Sequence, residues 1–268
     1  MRSLLARLLP RRPVYARVCC LSPDARLSGL RVVITGGSRG LGRAMAARFA
    51  RDGARVLIAG RDEGRLRAAA EEVGCDCLPL DVRDVSALDA FVARAAEMLG
   101  GLDALVNNAG ISLHERGFLD VGPRQFDDQF DTNLRGGFFL TQAFVRHCAA
   151  AGGTKRVLFV SSETGETADE RPYGLTKAAL NSLVRGLAYR YAADGFRINA
   201  VAPGVTTSDM TGAAPDGDIS CPYNMTGRYY LPEEVAEVAC FLMSEASNCL
   251  NGQILVCNEG KTINARWK

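Results

Sequence analysis

Thr35-Gly36-Gly37-Ser38-Arg39-Gly40-Leu41-Gly42 is the stretch of sequence that decides the fold. It follows the apolar run Arg31 to Thr35, which is typical of a buried strand, and it precedes the helical segment Arg43 to Asp52. Glycines lack side chains, so backbone N–H groups can reach a pyrophosphate at the positive end of a helix. Because these glycines lie between a strand and a helix, the stretch predicts a dinucleotide-binding turn with GxxxGxG spacing.

Strand and helix patterns alternate along the rest of the chain. Further strands are predicted at Val56–Ala59, Cys77–Leu80, Ala104–Val106, Arg156–Val160, Arg197–Val201 and Gln253–Val256. Helices are predicted at Asp62–Val73, Val85–Leu99, Gln125–Ala150, Pro172–Ala193 and Pro232–Met243, with Asp62 as an N-cap. This alternation predicts an α/β fold, a single-domain Rossmann-type doubly wound parallel sheet of about seven strands with helices on both faces. Ligands are expected at the carboxyl edge of the sheet.

The composition is that of a globular chain. Hydrophobic residues make up 47% of the 268 residues and charged residues 23%. No apolar run approaches the roughly 18 residues that a membrane helix needs. The net charge of +2 lacks the clustered basic charge of a nucleic-acid surface, so neither a membrane nor a nucleic acid is expected as a partner. The nine cysteines are expected to be reduced thiols of an intracellular protein, and their spacing favours no metal site.

Residues 1–26 differ from the remainder because they contain six arginines and no acid before Asp24. We expect them to form a flexible basic extension, followed by one domain over residues 27–268. An Arg-rich and acid-poor start is also typical of a mitochondrial transit peptide. We expect a cytoplasmic protein, with the mitochondrial matrix as the alternative if the basic N-terminus is a transit peptide.

Five motifs resemble the short-chain dehydrogenase/reductase family, in the family's order. After the glycine turn come Asp81-Val82, Asn107-Asn108-Ala109-Gly110, Asn133, and Ser162 with Tyr173-Gly174-Leu175-Thr176-Lys177. The resemblance runs from about Leu27 to the C-terminus and is greatest to the 3-oxoacyl-[acyl-carrier-protein] reductase group. It implies that Asn133, Ser162, Tyr173 and Lys177 are the catalytic residues and that the enzyme acts on CH–OH groups.

The resemblance and the strand ends together indicate which residues hold the dinucleotide. These are Gly36, Ser38, Arg39, Gly40, Leu41, Gly42, Arg61, Asp81, Val82, Asn108, Ala109, Gly110, Tyr173, Lys177, Pro203, Gly204, Val205 and Ser208. The second strand ends at Ala59-Gly60-Arg61 without the acid that NAD-selective members carry. Arg39 and Arg61 suit a 2′-phosphate, so NADP(H) is expected, with NAD(H) as the alternative. The alternative interpretation is that Arg39 and Arg61 are two solvated side chains that do not contact the cofactor.

The catalytic residue types have a direct chemical meaning. Tyr173 and Lys177 are four residues apart and share one helix face. A neighbouring ammonium and an oxidised nicotinamide favour the phenolate, so we expect a lowered pKa for Tyr173. Tyr173 would exchange a proton with the substrate oxygen, and Ser162 would donate a hydrogen bond to it. Because Ser162 and Tyr173 are only 11 residues apart, Ser161 is the alternative serine.

The substrate is less closely defined. Ser162, Glu163 and Tyr173 are expected to contact it, and residues 111–122 and 206–230 are expected to line the mouth of the site. Glu163 and the charges at 169–171 favour a sugar, polyol or hydroxy acid, unless they are solvated loop charges. The family group favours a 3-oxoacyl thioester, although Asn258-Glu259-Gly260 replaces its usual acid-glycine-glycine turn. A steroid-like alcohol is a further alternative.

Two other expectations follow from the resemblance. Helices 125–150 and 172–193 form the dimer face in the family, so a homodimer or homotetramer is expected. Some proteins of this fold bind a dinucleotide and regulate without catalysis. Loss of the tyrosine or the lysine would indicate such a protein, but both Tyr173 and Lys177 are present.

Overall fold

The computed structural model describes residues 26–149, 152–208, 210–213 and 217–263. The expected basic extension therefore lies outside the described residues, apart from Arg26. Leu27 is buried, and its N–H donates to the carbonyl of Asp52 at 3.1 Å. The second described residue is thus already part of the core.

Within the described residues, seven parallel strands form one sheet in the order β3-β2-β1-β4-β5-β6-β7. The strands are β1 (Arg31–Thr35), β2 (Arg55–Gly60), β3 (Asp76–Pro79), β4 (Ala104–Asn107), β5 (Lys155–Val160), β6 (Phe196–Pro203) and β7 (Ile254–Cys257). The strand order reverses its direction between β1 and β4, and a crevice forms at such a topological switch point. The predicted fold class is confirmed.

Helices cover both faces of this sheet. They are α1 (Gly40–Arg51), α2 (Glu63–Val73), α3 (Leu88–Leu99), α4 (Pro123–Phe130), α5 (Gly136–Cys148), α6 (Pro172–Tyr191) and α7 (Pro232–Met243). Asp62 caps α2 as predicted, because its carboxylate accepts the N–H of Arg65 at 3.0 Å. One apolar cluster packs under α3, α5 and α6 and a second under α1, α2 and α7. The sheet is therefore buried on both sides, as its apolar strands predict.

The single helix expected from Gln125 to Ala150 forms a continuous helical run from Pro123 to Cys148, but Asp131–Arg135 form a π-helical turn within it, between α4 and α5. Asn133 lies in this turn. Its Oδ1 accepts the N–H of Ile111 at 2.8 Å, and its Nδ2 donates to the carbonyl of Ile111 at 2.9 Å. The turn thus points an amide side chain at the loop after β4, and single π turns are frequent at functional sites. The expected end of the helix, Ala150, lies outside the described residues.

The short connection from β5 to α6 packs closely against the helix, and two glycines permit this close packing. A Cβ on Gly165 would lie 2.9 Å from the carbonyl of Lys177, and a Cβ on Gly174 would overlap the side chain of Asp169. Asp169 holds Arg171 through two N–O contacts of 2.9 and 3.0 Å. Little space therefore remains between the loop and the first turn of α6.

We expect Gly174→Ala to lower the free energy of unfolding by about 1–3 kcal/mol, the usual cost of overpacking. Gly186 provides a matched control in the same helix, because no atom lies within 4 Å of a Cβ added there. Gly186→Ala should raise the free energy of unfolding by about 0.5–1 kcal/mol, since alanine has the higher helix propensity. Urea denaturation measures both effects, and equal effects of the two changes would contradict the close packing at Gly174.

Candidate active site

A cleft of about 1230 Å³ runs along the carboxyl edge of the sheet. Ordinary small-molecule pockets have about 300–1,000 Å³, so this cleft has room for a large ligand and a second, smaller one. Most of the predicted site residues line it: Gly36, Ser38, Arg39, Gly40, Leu41, Arg61, Asp81, Val82, Asn108, Ala109, Gly110, Ser162, Glu163, Tyr173, Lys177, Pro203, Gly204, Val205 and Ser208. Gly42 and Asn133 lie behind its wall, where they support neighbouring groups.

The glycine turn fits the pyrophosphate of a dinucleotide. Gly36 has a φ of +64°, and a Cβ on it would lie 2.9 Å from Nδ2 of Asn108. A Cβ on Gly42 would overlap the carbonyl oxygen of Gly36. The first turn of α1 holds no acidic side chain, so its N–H groups present an uncompensated positive end to the cleft.

Thr35, at the end of β1, ties the glycine turn to the loop after β4. Its Oγ1 accepts the N–H groups of Asn108 at 3.0 Å and Ala109 at 3.1 Å. In return, Nδ2 of Asn108 donates to the carbonyls of Thr35 at 2.8 Å and Gly36 at 3.0 Å.

Our sequence reasoning missed Thr35. The signal that could have indicated it is a hydroxyl residue at the end of the strand, directly before the glycines.

Arginines surround the end of β2, which carries no acid. Arg39, Arg61 and Arg65 all line this part of the cleft. Asp62 also lines this part of the cleft, but its carboxylate caps α2 and pairs with Arg65 at 3.3 Å. The sequence reasoning identified Arg39 and Arg61 and missed Arg65. The result is a positively charged rim where a ribose 2′ substituent would lie in a dinucleotide bound to this turn.

Asp81 has a partner that the sequence did not indicate. Its carboxylate forms an ion pair with Arg83, with an Oδ2–Nη2 distance of 2.7 Å. The hydrogen bonds from Arg83 lower the pKa of Asp81. Asp81 therefore stays charged and fixed in position beside the cleft.

The structure brings Ser162, and not Ser161, to Tyr173. The hydroxyl of Ser161 donates to Oδ1 of Asn181 at 2.6 Å and so faces α6. The hydroxyl of Ser162, in contrast, interacts with Tyr173 and lowers the pKa of that phenol. Thr164 donates its own hydroxyl to Oγ of Ser162 at 3.0 Å and so fixes its position.

Tyr173 and Lys177 lie together on α6, and burial shifts both toward their neutral forms. Nζ of Lys177 is 5.5 Å from the ring centre of Tyr173 and donates to the carbonyl of Val160 at 2.9 Å. Burial lowers the pKa of Lys177 to about 8. Burial also raises the pKa of Tyr173, and the charge of Glu163 raises it further. The residues of the chain therefore act against the expected lowering of the tyrosine pKa, because burial outweighs the hydrogen bond from Ser162.

A small polar cavity adjoins Asn133. It has a volume of about 10 Å³ and is lined by Asn107, Thr132 and Asn133. The buried Oδ1 of Asn107 and Oγ1 of Thr132 have no hydrogen-bond partner among the described residues. Such a cavity is close to the size that one water molecule needs. Asn133 also donates to Oγ1 of Thr176, one residue before Lys177, at 3.3 Å.

The part of the cleft beyond Tyr173 is lined by charged side chains. Glu163, Lys261, Glu115 and Arg171 all belong to this wall. Nζ of Lys261 lies 2.6 Å from Oε1 of Glu163. The sequence reasoning named Glu163 and Arg171 and missed Lys261, because no local pattern brings the chain end after β7 to this place.

The two expected mouth segments contribute only in part. From residues 206–230, Met210 and Tyr223 line the cleft, whereas Cys221 and Tyr230 are buried in the interior. The ends of this segment are tied together, since the N–H of Thr207 donates to the carbonyl of Tyr230 at 2.9 Å. From residues 111–122, His114 adopts a φ of +55°, and its Nε2 lies 2.9 Å from the carbonyl of Met210. The two segments thus meet across the mouth.

No group of three or more potential metal ligands occurs among the described residues. No helix in the described part of the chain is long and apolar enough to cross a membrane.

Comparison with known proteins identifies relatives over nearly the whole chain. The family model described as Enoyl-(Acyl carrier protein) reductase matches residues 36–262. Gluconate 5-dehydrogenase of Gluconobacter oxydans is 34% identical over 248 residues, 88% of this chain and 96% of the relative. L-Rhamnose 1-dehydrogenase (NAD(P)(+)) of Azotobacter vinelandii is 35% identical over 249 residues, 87% of this chain and 96% of the relative. The 3-oxoacyl-[acyl-carrier-protein] reductase of Aquifex aeolicus is 31% identical over 248 residues, 88% of this chain and 99% of the relative.

Solved structures share the fold. A short chain dehydrogenase from Burkholderia cenocepacia in complex with NADP superposes with a TM-score of 0.79 at 32% identity, covering 88% of this chain and 99% of that one. A 3-ketoacyl-(acyl-carrier-protein) reductase from Brucella melitensis complexed with NADH gives a TM-score of 0.79 at 29% identity, with coverage of 88% and 99%.

The lowered pKa of Lys177 predicts a pH-dependent stability. Between the folded pKa of about 8 and the ordinary value of about 10.4, the unfolded chain binds more protons at this site than the folded protein, so stability rises with pH. We expect the wild type to gain about 2 kcal/mol relative to Lys177→Met between about pH 7 and about pH 9.5. Urea denaturation of both proteins at both pH values measures this gain. A difference that does not change with pH would contradict it.

Proposed function

Because the chain belongs to the short-chain dehydrogenase/reductase family, we propose that it interconverts a secondary alcohol and a ketone on a polar substrate, using NADP(H). The substrate class is a sugar, polyol or hydroxy acid. The observation that carries this proposal is that charged side chains, among them Glu163 and Lys261, line the same cleft as Ser162 and Tyr173.

The chain's own residues would handle the proton. A bound nicotinamide supplies a site that accepts or donates hydride. The hydroxyl of Tyr173 gives a proton to the substrate oxygen in reduction and takes one in oxidation. The hydroxyl of Ser162 donates a hydrogen bond to the same oxygen as charge develops on it. The family resemblance implies that Lys177 would hold the ribose hydroxyls and that Asn133 would anchor a water of the proton relay. Asn133 also supports the loop after β4.

The charged wall favours a substrate rich in hydroxyl groups over an acyl chain or a steroid-like alcohol. An apolar ligand would remove water from Glu163 and Lys261 without replacing its hydrogen bonds, which is unfavourable. Relatives named for gluconate and L-rhamnose support the polar class. A 3-oxoacyl thioester is the second candidate, supported by the similarity to the Aquifex aeolicus reductase.

The preference for NADP(H) rests on the rim at the end of β2. Arg39, Arg61 and Arg65 line this rim. Arg61 follows Gly60 directly, and the next residue, Asp62, is the capping residue of α2. Guanidinium groups suit a phosphate, whereas an acid there would suit the ribose hydroxyls of NAD(H). Similar structures hold either dinucleotide, so NAD(H) remains the alternative.

We also propose a homodimer or homotetramer in the cytoplasm. Phe126 on α4, Phe138 on α5 and Tyr189 on α6 are large apolar side chains that are exposed in one chain. Exposed apolar side chains on neighbouring helices are typical of protein–protein contacts. These are the helices that form the dimer face in the family. A non-catalytic regulatory role is the weaker interpretation, since Tyr173 and Lys177 lie together beside Ser162.

Tyr173→Phe removes the proposed proton donor and should lower turnover by at least roughly 10²–10⁴-fold. Binding of NADPH should be retained, because the ring and the helix stay in place. Nicotinamide absorbance with a panel of ketones, acyl thioesters and polyols measures turnover, and the same panel tests the substrate class. Turnover at the wild-type rate in Tyr173→Phe would exclude this mechanism.

Arg61→Asp places a carboxylate on the rim and should reduce kcat/KM for NADP(H) while it spares or improves use of NAD(H). Arg67→Asp is the control, because Arg67 pairs with Glu63 on the surface of α2 and does not line the cleft. The control should leave the ratio of the two cofactors unchanged. A wild type that already prefers NADH would show that the proposed role of the arginines is wrong.

A further inference from the structure

Glu163 and Lys261 form an ion pair in the wall of the cleft that the proposed proton transfer does not use. Glu163 directly follows Ser162, at the start of the turn after β5, and Lys261 follows β7. Nζ of Lys261 lies 2.6 Å from Oε1 of Glu163, and both residues line the cleft. The side chain of Glu163 is 9% exposed and that of Lys261 is 28% exposed. A buried ion pair loses hydration, so it needs further polar partners.

Asn258 holds the other carboxylate oxygen from behind. Its Nδ2 donates to Oε2 of Glu163 at 3.0 Å, and Asn258 itself is buried and does not line the cleft. An aspartate at 258 would place a second carboxylate next to Glu163, and the two charges would repel. The asparagine at this position and the glutamate at 163 therefore belong together. Asn258 is a positioning residue.

The pair has unused hydrogen-bonding capacity. A carboxylate offers about four lone-pair sites and an ammonium group three protons. Within the described part of the chain, Glu163 accepts bonds from Asn258 and Lys261, and Lys261 donates only to Glu163. Acceptor and donor sites thus lie side by side in the cleft. A hydroxyl group, which both donates and accepts, is the simplest group that satisfies both.

The position of the pair relative to the reacting atoms limits which hydroxyl it can contact. Glu163 is the chain neighbour of Ser162, and its carboxylate is near enough to raise the pKa of Tyr173. A substrate oxygen held between Ser162 and Tyr173 is therefore close to the pair. In a polyol, the hydroxyl nearest to the reacting oxygen is the one on the adjacent carbon.

We propose that Glu163 and Lys261 form a subsite for the hydroxyl on the carbon next to the reacting one, so that the enzyme selects vicinal diols and α-hydroxy ketones. This inference rests on the proposed function, because it assumes that the reacting oxygen lies between Ser162 and Tyr173. It separates the polar class into substrates that carry the adjacent hydroxyl and substrates that lack it.

The test compares two alcohols that differ by that hydroxyl alone, trans-1,2-cyclohexanediol and cyclohexanol. We expect the wild type with NADP⁺ to favour the diol in kcat/KM by about 10–100-fold, the effect of one or two charge-assisted hydrogen bonds. Glu163→Gln and Lys261→Met should each reduce this ratio at least about tenfold, whatever happens to the absolute rates. Glu170→Gln removes an exposed carboxylate of the same loop outside the cleft and should leave both rates and their ratio unchanged.

A double variant that moves the carboxylate from residue 163 to residue 258 separates an effect on substrate contact from an effect on folding. Glu163→Gln combined with Asn258→Asp restores one carboxylate and one amide, but with the carboxylate behind the wall. This double variant should recover the Tm lost in Glu163→Gln without recovering the preference for the diol. Recovery of both would mean that the carboxylate acts only through the fold, which would overturn the subsite.

Binding measurements keep failure of the inference distinct from failure of the proposed function. Ligand-observed NMR on Tyr173→Phe with NADP⁺ should show tighter binding of the diol than of cyclohexanol, and loss of the difference after Glu163→Gln. A wild type that oxidises both alcohols without preference, or equal binding of the two, overturns the subsite and leaves the proposed function standing. Absence of turnover together with selective binding overturns the proposed function and supports the subsite.

Discussion

The contact between Asn108 and the end of β1 is the constraint on which the rest of the cleft depends. Where a parallel sheet reverses its winding, here between β1 and β4, the connections that follow the two strands lead to opposite faces of the sheet. One amide side chain joins these connections through the carbonyls of Thr35 and Gly36. Only a glycine at 36 permits this approach. The glycine turn, the loop after β4 and the side chains that follow each of them are therefore held in one frame, which the cofactor and the substrate share.

Local signals predicted the sheet, the helices and most of the residues that line the cleft. Strand ends agreed within two residues, and Asp62 capped α2, because these features depend on neighbours in the chain. The orientation of Ser162 also follows a local rule. Successive residues of an extended chain face opposite sides, so when Ser161 faces α6, Ser162 faces the cleft.

Features that depend on distant contacts could not be predicted in this way. The π turn around Asn133 is fixed by Ile111, which lies 22 residues away in the chain. The pair of Lys261 and Glu163 spans 98 residues. The raised pKa of Tyr173 follows from burial, which the spacing of Tyr173 and Lys177 does not report. At neutral pH the phenol of Tyr173 therefore keeps its proton, which is the form that the proposed reduction of a ketone requires.

The segment from 206 to 230 has its two ends fixed to each other. Thr207 bonds to Tyr230, and Nδ2 of Asn224 donates to the carbonyl of Val205 at 2.8 Å, so the segment leaves and rejoins the sheet edge at one point. The entropy lost on closing such a loop grows only with the logarithm of its length. Residues can therefore be inserted between these anchors at little cost in loop-closure entropy. In evolutionary terms, the exposed part of the wall that carries Met210 and Tyr223 is free to diverge in length while β6 and β7 stay unchanged.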